Sequence, residues 1–202
     1  MINNTMTKTE INILKLMASR LTERFSILEI AKELKQNYSI VYASIQTLYK
    51  RNFLIKEKHK KYLLNYKTNT TDLAYIESLR SKEFLEKHTA ISSFVNDVMK
   101  KSEPFYFTFL IFGSYVSRKQ TKQSDIDILI IVPDLKDIDK TEVLFESIAK
   151  IFSTKFHINV MSIDSVSEML AKRNENNVFN ETLNNHIICF GAENYYKMLL
   201  VR

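Results

Sequence analysis

Glycine and proline are scarce, with two of each in 202 residues. A chain with so few breakers and hinges disfavours disordered linkers and points to helix-rich structure. Cysteine occurs once, at Cys189, which excludes an intramolecular disulfide. Flanked by Ile187, Ile188 and Phe190, that thiol reads as a packed core group rather than a nucleophile. No apolar run approaches the length needed to span a bilayer, and the start of the chain, Met1 to Thr5, has no signal-peptide pattern. A membrane partner is therefore not expected, and a cytoplasmic location follows by default. Zinc-type Cys/His spacing, a Ser-His-Asp arrangement, a Rossmann glycine pattern, internal repeats and low-complexity stretches are all missing.

Negative charge is also scarce, but only in one region. Residues 1–68 hold 13 Lys and Arg against 5 Asp and Glu, a net of +8. The remainder holds 16 against 18, a net of −2, and the two give the +6 of the whole chain. A third of the chain that carries all the excess suggests an acidic partner for that third, most plausibly nucleic acid, with a solvated surface as the plain alternative. Hydrophobic residues make up 45% and charged residues 26%, as in ordinary globular proteins, and the length allows one or two domains.

The stretch with the most chemistry is 105–132. An apolar run ends at Phe112 and is followed by Gly113 and Ser114. A polar spacer with Arg118, Lys119 and Lys122 leads to Ser124, Asp125, Ile126 and Asp127, and then to a second apolar run ending at Val132. Both runs read as buried strands. Residues two apart in a strand point the same way, so Asp125 and Asp127 share one face while Ile126, Ile128 and Ile130 turn inward. Paired carboxylates repel unless a cation lies between them, and a divalent ion such as magnesium prefers such oxygens. Gly113 permits a tight turn and close approach of a ligand, and a helix beginning at Ser114 would aim free N–H groups at a phosphate. Arg118, Lys119 and Lys122 either contact phosphates or form a solvated cluster.

Phe-Gly-Ser, a spacer and Ser-Asp-Ile-Asp together resemble the signature of the DNA polymerase beta-like nucleotidyltransferases, in particular the minimal, kanamycin-nucleotidyltransferase type. The resemblance covers 105–163. It implies magnesium (or manganese) on Asp125 and Asp127 as metal-binding and catalytic residues. It also implies a nucleoside triphosphate whose phosphates meet Gly113, Ser114, Arg118 and Lys122. Two departures stand out. Many members have Arg-Gly after Gly-Ser-x-x, where this chain has Ser117-Arg118. The third carboxylate of the family is expected on the strand 156–163, where the best-matching position is the neutral Asn159, with His157 and Met161 on its face and Asp164 on the other parity.

The basic third reads as three helices and a hairpin. Thr7 with Glu10 and Ser26 with Glu29 have the spacing of capping boxes for helices running to about Arg20 and Leu34. A third helix opens near Ser39 and reaches about Arg51. Strands 54–57 and 62–66 flank a basic tip, Lys58 to Lys61. Residues 26–66 resemble the winged helix-turn-helix of bacterial and archaeal regulators. The outward stripe of the third helix, Ser39, Tyr42, Ala43, Gln46 and Lys50, would then face the major groove, and Lys58, Lys60 and Lys61 the backbone or minor groove.

The expected fold is α+β: a winged helix over 1–68, a helical connector over 69–102, and a mixed-sheet nucleotidyltransferase-like core with C-terminal helices over 103–202. The connector is one long helix or two joined near His88. A helix over 139–153 is expected to bury Val143, Leu144, Ile148 and Ile151. Two functions remain open: a magnesium-dependent nucleotidyltransferase fused to a nucleic-acid-binding module, or a non-catalytic DNA-binding regulator whose second domain binds nucleotide or serves assembly. A protein or RNA acceptor and a homodimer are among the possible partners.

Overall fold

The computed structural model describes residues 6–102, 106–121, 124–172 and 177–200. The chain is α+β, with two separate sheets. Helices α1 (Lys8–Ala18), α2 (Ile27–Leu34) and α3 (Tyr38–Lys50) come first. Thr7 and Ser26 each close a capping box with Glu10 and Glu29, so two orphan backbone donors are satisfied at each start. Asn37 caps α3, its side chain accepting from the Ser39 amide at 2.8 Å. Strands β1 (Phe25–Ser26), β2 (Leu54–Lys56) and β3 (Lys61–Leu64) pair antiparallel in the order β1-β3-β2. A 3-10 turn, Lys58–Lys60, reverses the chain between β2 and β3, with His59 and Lys60 both at positive φ.

The segment after this hairpin forms two helices, α4 (Thr70–Leu85) and α5 (Thr89–Lys101), on opposite faces of the larger sheet. That sheet contains β4 (Thr108–Phe112), β5 (Ile126–Val132), β6 (Phe156–Ser162) and β7 (His186–Phe190) in the order β6-β5-β4-β7. Only β5 and β6 run parallel, joined through α7 (Ile138–Ala149). Strand alternation sorts the core into two. Ile126, Ile128, Ile130 and Val132 pack with Ile91, Phe94 and Val98 of α5 and Phe145 and Ile148 of α7. Leu129 and Ile131 face the other way, with Leu110, Phe112 and Ile76. They share that side with α8 (Ile163–Ala171), α9 (Val178–Thr182) and α10 (Ala192–Met198). This second cluster continues without a break into Ile13, Leu14, Ile45 and Leu48 of the first helices. Each such side chain, fully buried, contributes about 1.5–3 kcal/mol.

Two expectations about helices are corrected. Helix α7 stops at Ala149, and Val143 and Ile151 are 67% and 66% exposed. The buried stripe is Thr141, Phe145 and Ile148. Val143 sits two positions from Phe145, about 200° around the helix, and so faces water. The helix expected from Ser114, α6 (Ser114–Ser117), is a single turn.

Candidate functional site

The site begins where β4 ends. Gly113 has φ +76 and ψ −146, a conformation that L side chains rarely adopt. A Cβ there would lie 2.2 Å from Asp127 Oδ2. The antiparallel register makes this contact: Phe112 is paired with Asp127, so the next residue of β4 lies under the carboxylate. Asn185 Nδ2 donates to the Gly113 carbonyl at 2.8 Å and fixes the peptide from the β7 side. Because α6 is one turn long, its macrodipole adds little at this corner. Arg118 ends the turn in the left-handed region at φ +57. A glycine at this position would adopt that conformation without strain.

Asp127 is half-buried at the start of β5, and Asp125, one residue before the strand, is exposed. Lys122 lies outside the described residues. The parallel register of β5 and β6 pairs Asp127 with His157, and the His157 Nδ1 is 3.2 Å from Asp127 Oδ1. Asn159 is level with Leu129 and donates its Nδ2 to the Ile128 carbonyl at 3.4 Å. The residue beside Asp127 is thus His157, not Asn159 as expected. Spacing along the sequence does not reveal this, because the α7 crossover sets the register. Among the described residues no group of three His, Cys, Asp or Glu side chains stands close enough to hold a metal. The donor set does suit magnesium, which is commonly held by one or two carboxylates together with substrate phosphates.

Sequence reasoning missed a buried polar network behind the Gly113 loop. Glu77 and Arg80 of α4 are 0% and 7% exposed. Arg80 donates to both Glu77 oxygens at 2.7 and 2.6 Å and to the His186 carbonyl at 2.6 Å. Tyr196 donates to Glu77 Oε1 at 2.7 Å. His186 Nδ1 donates to the Thr182 carbonyl at 2.6 Å, which fixes its tautomer, and its Nε2 is 3.7 Å from Glu77. Burial opposes ionisation of Glu77, but the Arg80 charge with His186 and the Tyr196 hydroxyl outweigh it and hold the carboxyl below its ordinary 4.5. Burial and Glu77 push the Tyr196 hydroxyl well up. His186 is paired with Phe112, so the network braces the strand end from which Gly113 leaves. The one signal in the sequence was Glu77 and Arg80 three apart, on the same side as Leu73 and Ile76. Cys189 is a packed thiol, raised by burial to about 12.

Residues 95–178 match the family model for polymerase beta nucleotidyltransferases. The match supports a nucleotidyltransferase domain in that part of the chain, and it contains Gly113, Asp125, Asp127 and His157. No curated protein matches the chain. Among solved structures, the crystal structure of Thermotoga maritima IclR aligns with 52% of this chain and 39% of its own length. The identity is 21% and the TM-score 0.28, an overlap that carries no argument. Asn185 and His186 lie beyond the matched segment, and so do the N-terminal helices. There Ser39, Tyr42 and Lys50 are exposed on α3, and the Tyr42 ring stacks on Tyr38 with centroids 6.3 Å apart. Gln46 is half-buried, its Nε2 3.4 Å from the Tyr62 hydroxyl. Lys58 and Lys60 are exposed at the turn. Lys61 belongs to β3 rather than the tip, paired with Ser26, and its Nζ is 3.8 Å from Glu29.

Proposed function

We propose that the chain transfers a nucleoside monophosphate from a nucleoside triphosphate to a hydroxyl acceptor. In that reaction the acceptor oxygen bonds to the α-phosphorus, the bond to the β-phosphate oxygen breaks, and pyrophosphate leaves. The observation that carries the reading is the contact between Asp127 and Gly113, because it sets a carboxylate and a glycine turn with free N–H groups side by side. Gly113 and Ser114 would meet phosphate oxygens, and Asp125 and Asp127 would hold the divalent ion. Magnesium, when bound, neutralises triphosphate charge and favours attack at phosphorus. His157, beside Asp127, takes the proton of the attacking hydroxyl, a task an imidazole can perform near neutral pH. Residues 1–68 act as a winged-helix module for nucleic acid, supported by the three helices, the small antiparallel sheet and the basic turn.

A second reading has its own observation. Asn159, the best match in the sequence for the family's third acid, is neutral and donates to the Ile128 carbonyl, which favours a DNA-binding regulator that binds nucleotide without turnover. Both readings require metal-dependent nucleotide binding, and calorimetry tests it. A triphosphate is expected to bind in magnesium, and Asp125→Asn with Asp127→Asn should abolish the magnesium dependence. A double variant whose affinity still rises with magnesium as in the wild type would overturn the assignment of the site.

A further inference from the structure

A cavity of about 800 Å³ opens between α1, α4, the α6 turn and the segment before β7. Its volume is that of a small-molecule site. Neither Asp125, Asp127 nor Gly113 lines it. Its cations fall into two groups. Lys15 pairs with Glu83 at 2.6 Å, Arg20 with Glu33 at 3.2 Å, and the buried Arg80 with Glu77 at 2.6 Å. Lys87, Arg118 and Lys119 also line the cavity and have no ion-pair partner among the described residues. Uncompensated charges on a concave wall attract an anion more strongly than the same charges on a flat surface.

Another part of the lining is aromatic. The Phe84 and His88 rings lie 4.4 Å apart, and His88 and Tyr115 5.9 Å apart at 72°. Burial and the Lys87 charge hold His88 below its ordinary 6.5, which keeps this wall neutral. Arg118 ends the α6 turn in the left-handed region and lines the cavity beside Lys119.

We propose that this cavity is a metal-independent binding site for a phosphorylated nucleoside, with phosphate on Lys87, Arg118 and Lys119 and the base against Phe84, His88 and Tyr115. The site is separate from the carboxylates and does not depend on their turning over substrate. Its walls come from both the N-terminal helices and the α6 turn. Asn185, also in the lining, donates to the Gly113 carbonyl, so occupancy is one hydrogen bond from the glycine turn.

Calorimetry on the full chain in excess chelator tests this, with AMP as one probe and pyrophosphate as the other. AMP is expected to bind one equivalent. Lys87→Glu with Lys119→Glu should weaken it by at least about tenfold, and Lys87→Arg with Lys119→Arg should restore it. Tyr115→Leu should weaken AMP several-fold and leave pyrophosphate unchanged, and Asp125→Asn with Asp127→Asn should leave AMP bound. Circular dichroism confirms that each variant folds. The proposal is overturned if the wild type binds no AMP up to about 1 mM. It is also overturned if the charge reversals change nothing, or if pyrophosphate binds as well as AMP and Tyr115→Leu affects neither. Loss of AMP in the aspartate variant would move the ligand to the carboxylate site and sink the proposal as well.

Discussion

At the scale of single residues, the account turns on three contacts. Asp127 meets Gly113, His157 meets Asp127, and Asn185 holds the Gly113 carbonyl. The first was legible in the sequence, because glycine and paired aspartates at that spacing belong to a known pattern. The second was legible only as to face: 157 and 159 share a parity, and nothing short of the strand register chooses between them. The third joins residues 72 apart and leaves no local trace. The register gives a sharp prediction. His157→Asp sets a carboxylate beside Asp127 and should tighten manganese binding by about tenfold, or ~1.4 kcal/mol. Asn159→Asp, two residues further along the strand, should leave it unchanged. Manganese titrations followed by electron paramagnetic resonance separate the two, and tightening in Asn159→Asp alone would show the register to be wrong.

At the scale of elements, local chemistry was the reliable guide and burial was not. The capping boxes at Thr7 and Ser26 follow from the residues at the helix starts, whereas the break between α4 and α5, with no side-chain cap at His88, left the sequence open to one helix or two. The inward face of α7 did not follow, since Val143 and Ile151 are as apolar as the residues that are buried, and only the docked helix shows which stripe meets the sheet. Glu77 and Arg80 are the converse case, charged residues inside an apolar face that survive there because they satisfy each other. The hairpin carries a prediction of its own. Lys58 and Lys60 are exposed at the turn with no ion-pair partner among the described residues, whereas Lys61 is a strand residue close to Glu29. If residues 1–68 bind duplex DNA, Lys58→Ala with Lys60→Ala should reduce the log–log salt slope by about 1.8, at ~0.9 per phosphate contact. Lys61→Ala should change it little. Fluorescence anisotropy of the full chain over a salt series reads both, and a larger loss from Lys61→Ala than from the pair would contradict the geometry.

At the scale of the whole molecule, the hydrophobic core runs from α1 through α4 to one face of the large sheet, so the basic third and the carboxylate site share a single core cluster. Backbone and side-chain bonds reinforce this, with the Leu21 amide on the Leu183 carbonyl at 3.1 Å and the Thr22 amide on Asn184 at 2.9 Å. The sequence reads as a winged helix, a helical connector and a core, and its abrupt change of charge near residue 68 says nothing about the shared interior, because composition reports surfaces. The proposed activity is nonetheless a matter of chemistry: Asp127 against the glycine turn, with Asp125 just before the strand, supports transfer. The direct measurement is to incubate the chain with magnesium, each of the four α-labelled nucleoside triphosphates and a cell extract, and to follow label into acceptor together with release of pyrophosphate. The account predicts label transfer that requires magnesium and falls at least about a hundredfold in Asp127→Asn, the loss of several kcal/mol of transition-state stabilisation. Transfer that persists undiminished in Asp127→Asn, or triphosphate that binds with magnesium and is never turned over, would contradict it.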